Sequence, residues 1–305
     1  MDITWGVSAS HHLPWHWLIA VYLFLAGVSG GAFLTAALTD MYSKDHNIRI
    51  IRTGAYIAPV SIIIGLVLLV FDLGRPLHFW KLLINVNAGS VMSIGVFIIS
   101  IFSGLAAVYG GIVWLASNSG KRITKGVHAA ADEIAATGKG IQSLRKPVAI
   151  LGSLFAVGTA TYTGFLLSAV TTNGLWHVPF LGIQAVPFLP ILFLVSAMSA
   201  GLAATLIGAG KSEITIYKKI DLVFIVLELI LLAILYASIK SVFFSGTMGT
   251  IFWLGVVAIG LVVPFFLTVY SLAKHKSVVV PVSAMIVVGG LCLRFFVVYS
   301  GQMFK

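Results

Sequence analysis

Apolar residues run through this chain in long stretches bounded by charged residues or by proline and glycine clusters. Because the stretches are solidly apolar and about 20 residues long, they predict transmembrane helices rather than strands, in which apolar and polar residues would alternate. Helices are also favoured because lipid offers no partner to an unpaired backbone amide. The pattern predicts eight spans, at 15–39, 54–72, 91–116, 147–171, 187–210, 220–240, 249–273 and 278–300.

The composition supports the same class of protein. Of the 305 residues, 59% are hydrophobic and only 9% are charged. A chain with so few polar residues cannot cover itself with a surface that water solvates. The sequence therefore predicts an all-α integral membrane protein.

The distribution of basic residues predicts the orientation. Fourteen of the 19 Lys and Arg residues lie in the loops that connect spans 1 and 2, 3 and 4, 5 and 6, and 7 and 8. By the positive-inside rule these loops are cytoplasmic and both termini are periplasmic, in a bacterial inner membrane. The net charge of +10 thus reports topology and an attraction for membrane lipid. It does not indicate nucleic-acid binding, because no soluble domain presents the charges.

Two loops each leave alternatives open. Loop 117–146, on the basic side, has apolar residues at helical spacing among charged ones and predicts a cytoplasmic connector with a short amphipathic helix; these residues are Ile123, Val127, Ala130 and Ile134. Docking of a partner is the less favoured role for it. Loop 171–187, on the opposite side, has no Lys or Arg. It lies either in the membrane interface or under a partner subunit, and we favour the partner.

The chain has too few suitable ligand residues for several common cofactors. The single cysteine, Cys292, cannot hold an iron-sulfur cluster or a structural zinc, which need several ligands. Of the eight histidines only His16 falls inside a predicted span, so the facing pair that a transmembrane haem requires is missing. We therefore expect no haem, no iron-sulfur cluster and no metal site in this chain.

Polar side chains near the non-basic ends of three spans are the strongest candidates for a site. His16 opens span 1, Asp72 and Arg75 close span 2, and Tyr162 lies in the outer half of span 4. An imidazole and a phenol can hydrogen-bond the two carbonyls of a quinone, while a carboxylate relays protons. Each residue also has a structural interpretation: an aromatic belt for His16, a helix-ending salt bridge for Asp72 and Arg75, and helix cross-linking for Tyr162.

Several motifs together resemble the NrfD/PsrC family, the quinone-interacting membrane subunits of polysulfide reductase, cytochrome c nitrite reductase and related complexes. These motifs are Trp15-His-Trp17 with the small-residue run 27–33, Asp72-Leu-Gly-Arg-Pro76 with Phe79-Trp80, Tyr162-Thr-Gly164, and the segment 187–197 that opens span 5. The resemblance covers roughly the first 210 residues. The sequence departs from the polysulfide reductase pattern at Leu13, where that relative has an amide residue.

The resemblance implies a complete architecture and a set of partners. It implies a first four-helix bundle, from 1–116 and 147–172, that holds menaquinone or ubiquinone, and a second bundle over 187–305. His16 and Tyr162 would be quinone ligands, and Asp72 with Arg75 would line or support the pocket. A periplasmic, ferredoxin-like iron-sulfur subunit would dock outside and connect the quinone to a molybdopterin or multihaem catalytic subunit.

The second half of the chain has polar residues of its own. Asp221 and Glu228 fall in span 6 and Arg294 in span 8, where they form either a structural pair or a proton path. Pro264 predicts a kink in span 7. The competing function is a secondary transporter or an ion- or proton-conducting protein, in which these groups would line the route of the substrate. An inert membrane anchor is a third possibility.

Overall fold

The computed structural model describes residues 16–43, 47–73, 76–84, 87, 89–116, 143–170, 174–180, 182–209, 215–239, 244, 246–274 and 278–303. Within these ranges eight helices are long and apolar enough to cross a membrane. They are α1 Trp17–Tyr42, α2 Ile48–Asp72, α3 Val91–Leu115, α4 Arg145–Ser168, α5 Phe188–Ala209, α6 Thr215–Ser238, α7 Gly246–Lys274 and α8 Val279–Met303. The prediction of an all-α, eight-span membrane protein is confirmed.

The helix ends differ from the predicted spans by a few residues at most positions and by six at the start of α2. This helix begins at Ile48 instead of residue 54 and therefore includes Arg49 and Arg52. Long basic side chains extend along a helix end towards water, so a helix can continue beyond its apolar stretch. In α7, residues 251–262 form a π-helix that ends just before Pro264, whose ring removes a backbone donor.

The helices form two rings of four in chain order. α1 packs on α2 and α4, and α3 packs on α2 and α4; α5, α6, α7 and α8 make the corresponding contacts. We call α1–α4 the first group and α5–α8 the second group. Contacts of α5 with α1, α2 and α4 join the groups, and one buried hydrophobic cluster contains residues of both. The division into two separate bundles therefore stays a prediction.

Small residues bring α1 and α5 together at the centre of the molecule. A Cβ added at Gly31 would overlap the backbone of Ala197, and one added at Gly201 would overlap the backbone of Gly31 and Ala32. Helices without a bulky side chain at their crossing point approach closely, which strengthens their packing in lipid. The small-residue runs of spans 1 and 5 are thus the contact between the two groups.

The alternation of the helices defines two faces of the protein. α1 begins and α8 ends on one face, which we call the terminal face. The other face carries the loops with most of the Lys and Arg residues, and we call it the basic face. The amphipathic helix predicted in loop 117–146 lies outside the described residues.

The loop between α4 and α5 on the terminal face is partly folded into the protein. Leu175 and Trp176 are buried, and the indole nitrogen of Trp176 donates a hydrogen bond to the Val297 carbonyl of α8 at 2.8 Å. A short antiparallel pair follows, β1 Pro179–Phe180 and β2 Ile183–Pro187, in which Ile183 is 54% exposed. The protein's own helices thus cover the first part of this apolar loop, while the hairpin offers an apolar surface to the interface or to a partner.

Candidate functional site

The structure joins the ends of α1 and α2 through two of the predicted site residues. His16 immediately precedes α1 and Asp72 is the last residue of α2. The Nδ1 atom of His16 lies 3.0 Å from Oδ1 of Asp72. The imidazole is 61% exposed and the carboxylate only 14%, so the pair has an open side at the terminal face. Arg75 lies outside the described residues.

Deeper in the first group, two tyrosines occupy the space between the four helices. Tyr22 of α1 is 1% exposed and Tyr162 of α4 is 6% exposed, and their phenol groups lie close enough to interact electrostatically. Glycines of the two facing helices make room for the rings. The Tyr162 ring occupies the space that a side chain at Gly95 of α3 would need, and Tyr22 packs on Gly65 of α2.

The hydroxyls of both tyrosines have hydrogen-bonding capacity that the protein leaves unused. Neither makes a hydrogen bond to another residue in the described part of the chain. A buried hydroxyl without a partner is costly, so such groups usually face a ligand or ordered water. Two hydroxyls close together in an apolar interior, neither bonded to another described residue, therefore mark a candidate binding site in the first group.

The helical rise gives the depth of this site. Tyr22 follows His16 by six residues and Tyr162 precedes the end of α4 by six residues. At a rise of 1.5 Å per residue, both tyrosines lie about 9 Å below the helix ends at the terminal face. Of the predicted residues the structure thus pairs His16 with Asp72 at the surface and places Tyr162 roughly one and a half turns deeper.

The second group contains a line of buried polar residues on α5 and α6. Asp221 and Glu228 are 3% and 4% exposed and lie two turns apart on one face of α6. The Ser199 hydroxyl donates to Asp221 Oδ1 at 3.4 Å, and Ser196, one turn away on α5, interacts with Glu228. A gap between the helices that is too narrow for a water molecule borders Glu228 and Ser196.

Arg294 lies where the two groups meet. Its guanidinium donates from Nη2 to the Phe193 carbonyl at 3.2 Å and lies 3.8 Å from the centre of the Phe193 ring. The same nitrogen is 3.5 Å from where a Cβ at Gly27 of α1 would be, and the charge interacts with Glu228. Its Nε and Nη1 atoms are buried without a hydrogen-bond partner among the described residues. The structure thus associates Arg294 with Glu228, while Asp221 lies two turns nearer the basic face.

Near the basic end of the first group, three residues from α1, α3 and α4 form a hydrogen-bonded clamp. Asp40 of α1 accepts hydrogen bonds from Arg145 Nε at 2.7 Å and from the Tyr109 hydroxyl at 3.1 Å. Above the clamp Phe33 packs edge-on against Phe102 at 5.6 Å. The interior between the tyrosines and the basic face is therefore filled by aromatic rings.

Sequence reasoning missed Tyr22, the two serines and the Asp40 clamp. A lone Tyr or Ser in an apolar span ordinarily packs in the core or bonds its own helix, so its residue type carries no signal. For the serines the available signal was spacing, since Ser196 and Ser199 are one turn apart on one helix face. No comparable spacing marked Tyr22.

Comparison with known proteins places these features in a family. The family model described as "Polysulphide reductase, NrfD" matches residues 6–305. The protein belongs to the NrfD family. This NrfD-family protein is 36% identical to a polysulfide reductase chain of Wolinella succinogenes, over 100% of its own length and 99% of that relative. It is 33% identical to the NrfD homolog of Haemophilus influenzae, over 96% and 95%, and 24% identical to a selenate reductase subunit of Mesobacillus selenatarsenatis, over 95% and 74%. The resemblance found in the motifs is confirmed and extends over the last third of the sequence.

Proposed function

We propose that this NrfD-family membrane protein binds a quinone or quinol in the first group, near the terminal face, as a subunit of a respiratory oxidoreductase complex. The observation that carries the proposal is the pair of buried, unpartnered phenols of Tyr22 and Tyr162 below the His16 and Asp72 pair. Gly65 and Gly95, on the two facing helices, make room for these two rings.

The donors present fit a quinone better than a transported ion. A quinone head group has two carbonyl acceptors on a flat apolar ring, and its reaction transfers two electrons together with two protons. Tyr22, Tyr162 and His16 supply hydrogen-bond donors, whereas phenol groups are poor ligands for a metal cation. Asp72, on the partly exposed pair, accepts and releases protons at its carboxylate towards the terminal face. The apolar outer surfaces of α2 and α3 suit the lipid phase from which such a ligand comes.

The names of the relatives support a place in a reductase. One is named as a chain of polysulfide reductase and another as a subunit of selenate reductase. We infer that a ferredoxin-like iron-sulfur subunit docks on the terminal face, close to His16, and links it to a molybdopterin or multihaem catalytic subunit. The charge distribution supports a periplasmic position for this face and a location in the bacterial inner membrane.

We propose that the buried ionisable residues of the second group carry protons. Asp221, Glu228 and Arg294 are buried among helices that otherwise expose apolar side chains to lipid. Ionisable groups in such a position are costly to maintain and commonly mark proton relays. Replacing Glu228 by Gln should lower proton uptake coupled to turnover of the assembled complex, and unchanged uptake would remove Glu228 from the path.

The quinone proposal is tested by equilibrium binding. The purified protein in lipid nanodiscs is titrated with a fluorescent hydroxyquinoline N-oxide, a quinone analogue. We expect His16→Ala and Tyr162→Phe each to weaken binding about fivefold, since a lost hydrogen bond is worth about 1 kcal/mol. Tyr270→Phe, at an exposed tyrosine of α7, is the matched control. Binding that none of the site variants changes would favour a transporter or an inert anchor.

A further inference from the structure

A second polar cavity lies at the basic end of the second group, away from the tyrosines. It is a small, partly open crevice whose cavity volume of about 10 Å³ is about what one water molecule needs. Each of the four helices of the group contributes to its wall near its basic end. Its polar lining comes from Lys218, Asp221, Thr268, Ser271 and Ser283, and the remaining wall is aliphatic. We call this crevice the vestibule.

The polar residues of the vestibule are arranged by depth. Lys218 lies in the first turn of α6, and its ammonium donates to the Ser271 hydroxyl of α7 at 2.8 Å. Asp221 follows one turn later on the same face and is 3% exposed. Lys218 therefore spans the mouth of the vestibule, while Asp221 forms its floor and contacts Ser199 on the far side.

The chemistry of this lining favours water. Lys218 has three N–H donors, of which Ser271 accepts one, and the hydroxyls of Thr268 and Ser283 offer both donors and acceptors. A polar crevice with two or more such partners is a place that ordered water occupies in membrane proteins and in soluble proteins alike. The adjacent ammonium and carboxylate argue against a bound anion or metal cation, since either ion would meet a like charge.

The first group shows the opposite arrangement at the same face. There the Asp40, Tyr109 and Arg145 clamp and the packed rings of Phe33 and Phe102 close the interior. Towards the basic face, the described residues thus form a polar crevice in the second group and a layer of packed aromatic rings in the first group. Among the described residues, a polar crevice open to this face is found in the second group.

We propose that the vestibule is a water inlet to Asp221 and that the Lys218 to Ser271 contact controls it. When Lys218 donates its hydrogen bond to Ser271, the lysine side chain lies across the mouth of the vestibule. When the lysine side chain turns towards the membrane surface instead, water from the basic face reaches the Asp221 carboxylate. Lys218 is then a positioning residue for access, and it does not carry the proton itself. This inference deepens the proton-carrying part of the proposed function and is independent of the quinone site.

Thiol accessibility tests the inlet. In a Cys292→Ala background, Ser283→Cys places a reporter in the vestibule wall and Thr205→Cys places a control outside it. Both positions are four residues from the basic end of their helix, and both side chains are buried. The protein in nanodiscs is treated with 2-(trimethylammonium)ethyl methanethiosulfonate, whose permanent positive charge keeps it in water-filled spaces and out of lipid. We expect the cysteine at 283 to react at least tenfold faster; equal rates would overturn the inlet.

The role of Lys218 in water access is tested with the same two cysteine reporters. Lys218→Met and Ser271→Ala remove the contact from either side, and each should raise the rate at position 283 several-fold without changing the rate at 205. Lys219→Met is the matched control and should leave both rates unchanged. If neither Lys218→Met nor Ser271→Ala raises the rate at 283, Lys218 does not control access. Quinone-analogue binding by the same samples reports separately on the first group.

Discussion

Arg294 is a buried cation in the lipid-embedded interior. It is 2% exposed, and Glu228 is the acid with which it interacts. The two side chains form no salt bridge within 4 Å, and Arg294 is also held by the Phe193 carbonyl and ring. Removing one of two opposite buried charges leaves the other without compensation, so we expect this region to be sensitive to single substitutions.

We predict that Glu228→Gln lowers the free energy of unfolding by about 3 kcal/mol, because it leaves Arg294 charged and uncompensated. The double variant Glu228→Gln with Arg294→Gln should recover much of this loss. A double-mutant cycle of unfolding free energies, measured in detergent, checks the prediction. Additive losses in the double variant would show that the two side chains do not depend on each other.

Tyr22 is the residue that the structure adds to the site. We predict that Tyr22→Phe weakens binding of the quinone analogue about fivefold to tenfold, because the variant keeps the ring and loses only the hydroxyl donor. Tyr236→Phe, at a tyrosine that is 46% exposed, should bind as the wild type does. An unchanged affinity in Tyr22→Phe would assign Tyr22 to packing alone.

The sequence indicated His16, Asp72 and Tyr162 because their residue types are unusual where they stand, and the structure shows the first two in contact. It did not indicate Tyr22, since a tyrosine in an apolar run is common and only its neighbours on α2 and α4 make it distinctive. The deeper position of Tyr162 relative to His16 was also missed. Depth depends on where each helix begins and ends, which hydropathy determines only to within a few residues.

At the level of elements, the contact between α1 and α5 depends on glycine. We predict that Gly201→Ala lowers the free energy of unfolding by about 1 to 3 kcal/mol, because the added methyl group meets the backbone of α1. Gly104→Ala in α3 is the matched control, since no atom lies within 4 Å of its added Cβ. It should be neutral or slightly stabilising. Equal effects in thermal unfolding would show that the crossing tolerates a wider separation.

Hydropathy predicted the number and approximate position of the helices well, because a helix that crosses lipid needs a long apolar stretch regardless of its tertiary contacts. It carried no information about the π-helix in α7, since the same apolar residues suit either helix. Nor did it predict the two rings of contacts. Those depend on small residues such as Gly31 and Gly201 meeting across helices that are distant in sequence.

At the level of the whole molecule, the positive charges predict that the terminal face is periplasmic. Alkaline phosphatase fused after Lys305 should be active, and green fluorescent protein inserted in loop 117–146 should be fluorescent. The phosphatase fusion inserted in the same loop serves as the control and should be inactive. The reverse pattern would place the candidate quinone site at the cytoplasmic side and change the compartment of the docking partner.

The two groups have different parts in the proposed function. Among the described residues, the first group has the Asp40 clamp near the basic face and holds the phenols, whereas the second carries polar residues from the vestibule to Arg294. Arg294 also approaches Gly27, five residues beyond Tyr22 on α1. The junction of α1, α5 and α8 is therefore the place where a change of charge in one group would act electrostatically on the other group.

Photoaffinity labelling with an azidoquinone tests most directly whether the first group binds a quinone. The protein is labelled in nanodiscs, with and without an excess of the parent quinone, and the adducts are located by mass spectrometry. We predict adducts that the parent quinone suppresses in the segments around residues 16–22, 91–98 and 158–165, and their loss in the Tyr22→Phe and Tyr162→Phe double variant. Suppressible adducts confined to α5–α8, or unchanged in that variant, would contradict a quinone site in the first group.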